Sequence, residues 1–127
     1  MVALKVFFAF LSVLLISAQG FEKCSLSSIK VEITKTGRVV KGQPEYEVAF
    51  SVDDDCPCVE VQVVVGCNGF NSVEPIDPFI IKKDDSVGGC LLKNGGSLFQ
   101  EEPLKFKFAG QLPTDNFKPI SSTIACS

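Results

Sequence analysis

The sequence predicts an all-β protein, a single antiparallel β-sandwich-like domain of about six or seven strands that is cross-linked by three disulfides. Three observations support this prediction. Apolar and polar residues alternate with a period of two in several segments, turn-forming residues separate those segments at short intervals, and the 127-residue chain contains six cysteines. No segment of useful length has apolar residues spaced three and four apart, as an amphipathic helix would require.

Four segments show the alternation most clearly. Their apolar members are Ile29, Val31 and Ile33; Tyr46, Val48, Phe50 and Val52; Val59, Val61, Val63 and Val65; and Leu104, Phe106 and Phe108. Because successive side chains of a strand point to opposite faces, each segment predicts a strand with one buried and one solvated face. In the third segment this pattern assigns Glu60 and Gln62 to the solvated face.

Turn signals separate these strands. Asn-Gly and Gly-Gly pairs supply the positive φ angles that tight hairpin turns require. Longer loops are predicted over residues 53–57 and 71–78, which are rich in aspartate and proline. The short turns are predicted at Thr36-Gly37, Lys41-Gly42, Asn68-Gly69, Gly88-Gly89, Asn94-Gly95 and Ala109-Gly110.

The first twenty residues have the order of a secretory signal peptide. Lys5 supplies a positive charge, residues 6–16 form an apolar run, and Ala18 and Gly20 are the small residues that precede a cleavage site. The apolar run is shorter than the ~20 residues that a membrane-spanning helix needs. We therefore expect a signal peptide over residues 1–20, one domain over residues 21–127, secretion to the extracellular space, and no membrane insertion of the mature chain.

The cysteines of such a chain predict disulfides rather than a metal site. An even number of cysteines in a short secreted domain is typical of a disulfide framework, here Cys24, Cys56, Cys58, Cys67, Cys90 and Cys126. A hairpin that pairs residues 27–35 with 44–52 would bring Cys24 close to the following loop, so Cys24 is expected to bond Cys56 or Cys58. Pro57 would strain a bond between Cys56 and Cys58, so these two cysteines are expected to have different partners.

Composition argues against an enzyme. The chain has no histidine, which removes Ser-His-Asp and Cys-His catalysis and most catalytic zinc sites. Two acidic runs, residues 53–55 and 84–85, are flanked by turn residues and are interpreted as solvated loop charge. An Asp-x-Asp site for a sugar nucleotide and its metal would need a nucleotide-binding domain larger than this chain. We expect no catalytic residue, no cofactor and no metal site.

The remaining candidate residues lie in loops and suggest binding. Without its leader the chain has eleven basic and fifteen acidic residues, a net charge of −4 that disfavours nucleic acid as a partner. Loops carry function more often than strands, so residues 53–58, 68–78 and 82–85 are the predicted contact loops. Phe70 and Phe79 fit either exposed contacts or core residues beneath a loop. The candidate partner-binding residues are Asp53, Asp54, Asp55, Phe70, Asn71, Pro75, Lys82 and Lys83.

The cysteines and the turn residues between them form a specific signature. Its parts are Cys24, Ile29, Val31 and Ile33, residues 36–38 and 42–48, Cys56 and Cys58, residues 63–67 and 69–73, Pro75 and Pro78, residues 90–92 and 94–95, residues 104–109, and Cys126. The signature covers nearly all of the mature chain and resembles the tapetum determinant family of plant secreted proteins. The single residue between Cys56 and Cys58 resembles the shorter branch of that family.

The resemblance implies a function. The founding members of the family are secreted ligands that act on a leucine-rich repeat receptor kinase at the cell surface and specify cell fate in the anther. The chain is therefore expected to be an extracellular, apoplastic signalling or recognition protein whose partner is a receptor ectodomain. Two alternatives stay open: a secreted carrier of a lipid or other small apolar molecule, and a cell-wall polysaccharide-binding module, which the absence of tryptophan disfavours.

Overall fold

The computed structural model describes residues 24–53 and 55–126, so the predicted signal peptide lies outside the described residues. The described part contains eight strands, in antiparallel pairs. Two short 3-10 turns, Leu26–Ser28 and Lys93–Gly95, accompany them. The strands are β1 (Ile29–Val40), β2 (Gln43–Val52), β3 (Val59–Val65), β4 (Asn71–Ser72), β5 (Ile81–Asp84), β6 (Gly89–Leu92), β7 (Leu104–Gln111) and β8 (Pro119–Ala125).

The strands form two four-stranded sheets, which confirms the sandwich-like all-β prediction. The first sheet has the order β1-β2-β7-β4 and the second has the order β5-β6-β3-β8. The strand count exceeds the predicted six or seven because three strands are short. β4 has only two residues and lies inside the predicted loop 71–78, while β5 and β6 have four residues each.

The β1–β2 hairpin combines a two-residue turn with a β-bulge between Lys35 and Val39, and the bulge shifts the register of the rest of the hairpin. Lys41 and Gly42 join the paired residues Val40 and Gln43, with φ angles of 50° and 79°. Positive φ at both central positions defines the two-residue turn that matches the right-handed twist of a hairpin. The hairpin pairs Ile29 with Val52, so the chain before β1 lies beside the loop after β2.

Phenylalanine rings fill the space between the sheets. Phe50, Phe106 and Phe108 project from the first sheet, and the ring of Phe117, in the loop before β8, packs edge-on against all three. The ring centroids of Phe117 and Phe106 are 5.9 Å apart, a distance typical of edge-to-face aromatic pairs. All four residues are buried, which confirms the predicted inward faces of β2 and β7.

A bulge in β3 reverses the predicted faces of its first half. From Val61 to Val64 the strand advances three residues while β8 advances two, and Gln62 has a φ of 53°. Because one extra residue shifts the alternation by one, Glu60 turns inward and is 0% exposed. Val59 is half-buried and lies outside the core. The prediction that Val59 and Val61 face the core and Glu60 faces solvent is therefore wrong.

Two of the three disulfides join the first and last cysteines to the loop after β2, and the third joins the loop after β3 to β6. They are Cys24–Cys56, Cys58–Cys126 and Cys67–Cys90. The expected bond from Cys24 to one cysteine of the Cys56-Pro57-Cys58 loop is confirmed. Cys56 and Cys58 bond different partners, as the strain argument predicts. The first and last cysteines of the chain are thus both joined to one loop.

Candidate functional site

The predicted contact loops lie at two opposite ends of the sandwich. Residues 53–58 connect the end of β2 to the start of β3, beside the segment that precedes β7 and the end of β8. The loop after β3 and the turn between β5 and β6 lie at the other end, beside the end of β7. The structure therefore separates residues 53–58 from residues 68–71 and 82–85.

A cleft of about 580 Å³ lies at the first end, and we call it the cysteine cleft. It is lined by residues 56–59 and 99–102. The side-chain amide of Gln100 crosses between the two walls and donates to the backbone carbonyls of Cys56 and Asp53. Cys56 and Cys58 each carry a disulfide, so one wall is fixed by covalent bonds and joined to the other by Gln100.

The charges around the cysteine cleft are mainly acidic. Glu101 and Glu102 line it and are exposed. The nearby candidate Asp55 is also exposed, whereas Asp53 is half-buried and its Oδ2 lies 3.5 Å from Nζ of Lys30. The candidate Asp54 lies outside the described residues. Among the described residues that line this cleft none is basic, and the neighbouring cation, Nζ of Lys93, lies 5.0 Å from the centre of the Phe99 ring.

A smaller groove at the opposite end of the sandwich is lined by three of the candidate partner-binding residues. Phe70, Asn71 and Lys83 line this groove, whose volume is about 340 Å³. The ring of Phe70 is half-buried and lies 4.9 Å from the ring of Phe108, centroid to centroid, so Phe70 is a core residue beneath the loop. Oδ1 of Asn71 accepts a hydrogen bond from the backbone of β7. The two other candidates of these loops, Pro75 and Lys82, are exposed.

Sequence reasoning missed a buried carboxylate on the outer face of the first sheet. Glu45 lies opposite Ala109 of β7 and is only 1% exposed. The segment after β4 covers this face, where the backbone N–H of Val73 donates to the carbonyl of Ala109 at 2.7 Å. The alternation of β2 assigns Glu45 to the solvated face, and no local signal in the sequence shows that a distant segment covers it.

Glu45 has a second carboxyl group as a neighbour. Oγ1 of Thr36 donates to Oε1 of Glu45 at 2.7 Å, and Nη1 of Arg38 lies 3.5 Å from Oε2. Hydrogen bonds from Thr36 and Glu74 lower the pKa of Glu45, and the charges of Arg38 and Lys107 lower it further. The hydrogen bond to Glu45 raises the pKa of Glu74, as does its own burial. The two carboxyl pKa values are therefore pushed apart.

Glu60 is the other carboxyl that the sequence did not reveal. It lies inside the sandwich, where Oγ of Ser122 donates to its Oε1 at 2.7 Å. Burial raises the pKa of Glu60, and the hydrogen bond from Ser122 opposes this only in part. None of Glu45, Glu60 and Glu74 lines the cysteine cleft or the opposite groove, so none is placed to act on a molecule held there.

The fold and its clefts define a disulfide-bonded β-sandwich whose surface features are loops anchored at both ends of the sheets. Residues 25–127 match the family model described as Tapetum determinant 1, C-terminal. The chain therefore belongs to the tapetum determinant family, and this membership supports a general role in plant signalling. No curated protein matches the chain, and no solved structure matches it.

Within residues 24–53 and 55–126, no helix has the length and apolar character that crossing a membrane requires. In the same residues, no three cysteine, aspartate or glutamate side chains come together as a metal site.

Proposed function

We propose that the mature chain is a secreted, non-enzymatic ligand that acts by binding an extracellular protein, namely the ectodomain of a leucine-rich repeat receptor kinase. The family match over residues 25–127 is the observation that carries this proposal. The concave surface of a leucine-rich repeat can dock a rigid β-domain without any catalytic group. In this proposal, residues 1–20 direct secretion, and the oxidising extracellular compartment maintains the three disulfides.

The cysteine cleft is the surface that best fits a receptor contact. Its Cys56-Pro57-Cys58 wall is anchored by two disulfides, so little conformational entropy is lost when a partner binds. Phe99 offers a partly exposed ring that has Nζ of Lys93 at 5.0 Å from its centre, and Glu101 and Glu102 offer carboxylates beside it. An arginine or lysine of the receptor suits this combination, because its stem packs on apolar groups while its charged end meets a carboxylate.

The packed interior of the sandwich favours a role as a receptor ligand over a role as a lipid carrier. A carrier needs an apolar cavity between its sheets. Here the rings of Phe50, Phe106 and Phe108 contact Phe117 across that space. Apolar side chains of the protein therefore occupy the volume that a bound lipid would need.

Binding to purified receptor ectodomains tests the proposal. The mature protein, with its disulfides formed, should bind at least one leucine-rich repeat ectodomain in an interferometry assay. The double variant Glu101→Gln/Glu102→Gln should bind about tenfold more weakly and with a smaller salt dependence, because it removes two carboxylates from the contact. The double variant Glu32→Gln/Asp115→Asn makes the same charge change at exposed residues outside the cleft and outside the predicted contact loops, and it should bind like wild type.

The outcomes separate the two parts of the proposal. If the folded wild-type protein binds no leucine-rich repeat ectodomain, the receptor class is wrong. If it binds and the cleft variant binds equally well, the receptor class stands and the cysteine cleft is not the contact surface.

A further inference from the structure

The outer face of the first sheet contains two buried carboxylate oxygens without a hydrogen-bond donor. They are Oε2 of Glu45 and Oε1 of Glu74, and among the described residues neither accepts a hydrogen bond. The carboxyl groups of Glu45 and Glu74 lie within hydrogen-bond reach of each other. Two ionised carboxylates at this distance repel, and an unpaired buried oxygen is costly. A group that both carboxylates can share must therefore stabilise the pair.

A proton fits this position better than a metal ion does. The described residues place no third carboxylate, histidine or cysteine with the pair as a metal ligand. Arg38 already lies 3.5 Å from Oε2 of Glu45, so a cation is present on one side. When Glu74 is protonated, its O–H can donate a hydrogen bond to the carboxylate of Glu45. A carboxyl and a carboxylate share a proton in this way in acidic dyads.

The pair connects two parts of the fold that are distant in sequence. Glu45 lies in β2, whereas Glu74 follows the two-residue strand β4. Ser72 is held to the first sheet by its pairing with Gly110 of β7 and by the hydrogen bond from the Ala109 N–H to its Oγ. Beyond Ser72, the backbone N–H of Val73 donates to the carbonyl of Ala109. The contact of the Glu74 side chain with Glu45 is added at the end of this attachment.

We propose that one proton shared between Glu45 and Glu74 fastens residues 73–74 to the first sheet, and that loss of this proton releases these two residues. We call this pair the carboxyl clasp. It belongs to one of the loops that are candidates for partner binding, so the clasp makes the shape of that loop depend on pH. The effect on receptor binding rests on the proposed function, whereas the clasp itself does not.

The sign of the pH dependence follows from the two carboxyls. The lowered pKa of Glu45 contributes stability that is present above its ordinary pKa and is lost as the pH falls through the lowered value. The raised pKa of Glu74 contributes stability that is present below its ordinary pKa and is lost as the pH rises through the raised value. The clasp is therefore strongest between the lowered pKa of Glu45 and the raised pKa of Glu74, and it opens as the pH rises through the raised value.

The other polar and charged groups that face Glu45 and Glu74 do not reverse the direction of this pH dependence. Thr36 and Arg38 face it from β1, and Lys107 faces it from β7. Thr36 does not titrate, and Arg38 and Lys107 contribute positive charge. Their attraction lowers both carboxyl pKa values, yet the pKa of Glu74 remains raised.

Nuclear magnetic resonance on the mature, disulfide-bonded protein tests the clasp without any receptor. The side-chain carboxyl carbons of Glu45 and Glu74 are followed from about pH 4 to about pH 8, together with the exchange protection of the Val73 amide. Glu45 should titrate below, and Glu74 above, the ordinary glutamate value. The protection factor of the Val73 amide should fall as Glu74 ionises. The expected fall is about tenfold for each pH unit by which the pKa of Glu74 in the closed clasp exceeds its value in the open clasp.

Two variants complete the test. Glu74→Gln keeps a donor for Glu45 but removes the titration, so protection of Val73, corrected for the intrinsic exchange rate, should become independent of pH. Glu47→Gln changes a glutamate of the same face of β2 outside the pair and should keep the wild-type profile. The proposal is overturned if both carboxyls titrate at ordinary values, or if Glu74→Gln keeps the wild-type pH dependence. It is also overturned if calcium, rather than protons, controls the Val73 signal. If Glu74→Gln does not fold, the wild-type titration alone decides.

Discussion

Glu60 and Ser122 face each other inside the sandwich, where Oγ of Ser122 donates a hydrogen bond to Oε1 of Glu60 at 2.7 Å. The other carboxyl oxygen, Oε2, has no hydrogen-bond donor among the described residues. Glu60 reaches this position because the bulge at Gln62 reverses the strand faces before it. A carboxylate in such surroundings is poorly solvated, which favours its protonated form.

Replacing Glu60 with glutamine should stabilise the protein at neutral pH. The raised pKa of Glu60 means that the wild type loses stability as the pH rises from the ordinary glutamate value to the raised value, because the unfolded chain ionises first. Glu60→Gln keeps the shape of the side chain and removes this loss. Its advantage over wild type should be absent in acid and should grow toward neutral pH in urea denaturation curves.

The matched control for this experiment is Glu102→Gln, which changes an exposed glutamate. Its denaturation curves should follow those of wild type at each pH. If the difference in free energy of unfolding between Glu60→Gln and wild type stays constant from acid to neutral pH, Glu60 does not titrate in the way that its burial implies.

The three disulfides should contribute unequally to stability. The entropy that a cross-link removes from the unfolded chain increases with the length of the loop that it closes. Cys58–Cys126 spans 68 residues and Cys67–Cys90 spans 23. Replacing both cysteines of Cys58–Cys126 with alanine should lower the free energy of unfolding by about 4.4 kcal/mol, against about 3.4 kcal/mol for Cys67–Cys90.

Chemical denaturation of the two paired-alanine variants under non-reducing conditions measures this difference. Removal of Cys58–Cys126 should also weaken receptor binding, because it frees one wall of the cysteine cleft. A larger loss of stability on removing Cys67–Cys90 would contradict the ranking by loop length.

Phe70 and Phe79 should respond differently to truncation, although both lie near the same predicted loop. Phe70 packs against Phe108 and Phe117, with ring centroids 4.9 and 5.0 Å apart, whereas Phe79 is 55% exposed. Phe70→Ala should lower the free energy of unfolding by roughly 2 to 4 kcal/mol, because it opens a cavity in the aromatic core. Phe79→Ala should change it by less than about 0.5 kcal/mol. Thermal unfolding of the two variants is a direct comparison, and equal losses would mean that Phe79 is also packed in solution.

Gly110 should be required for the attachment of β4. A β-carbon at this position would lie 2.3 Å from the backbone oxygen of Asn71, so β4 would have to move away from β7. Gly110→Ala should cost about 1 to 3 kcal/mol of stability and should change the amide signals of Ser72 and Val73. In Gly42→Ala, where a β-carbon meets no atom within 4 Å, the cost should come from the left-handed backbone alone and those signals should stay unchanged. Unaltered Ser72 and Val73 signals in Gly110→Ala would contradict the close approach.

The sequence by itself determined the parts of this protein that depend on local order. Alternation in β1, β2 and β7 predicted which residues face the core, because the faces of a regular strand follow from its period of two. The turn at Lys41 and Gly42 indicated that β1 and β2 pair, whereas the bulge between Lys35 and Val39, which sets the register of their far ends, was not predicted. The pairing alone was sufficient to predict that Cys24 bonds a cysteine of the Cys56-Pro57-Cys58 loop.

The tertiary structure alone decided the rest, because those features depend on contacts between distant segments. A single extra residue at Gln62 reversed the faces of β3, and its presence shows only in the pairing with β8. Glu45 is buried because a segment almost thirty residues later in the chain covers it, bringing Glu74 beside it. The partners of Cys58 and Cys67 also depend on the pairing of β3 with β8 and with β6, which are distant from β3 in sequence. The sequence therefore determined the main strands and the disulfide-bonded loop at Cys56, whereas the bulge in β3 and the segment after β4 decided which carboxylates became buried.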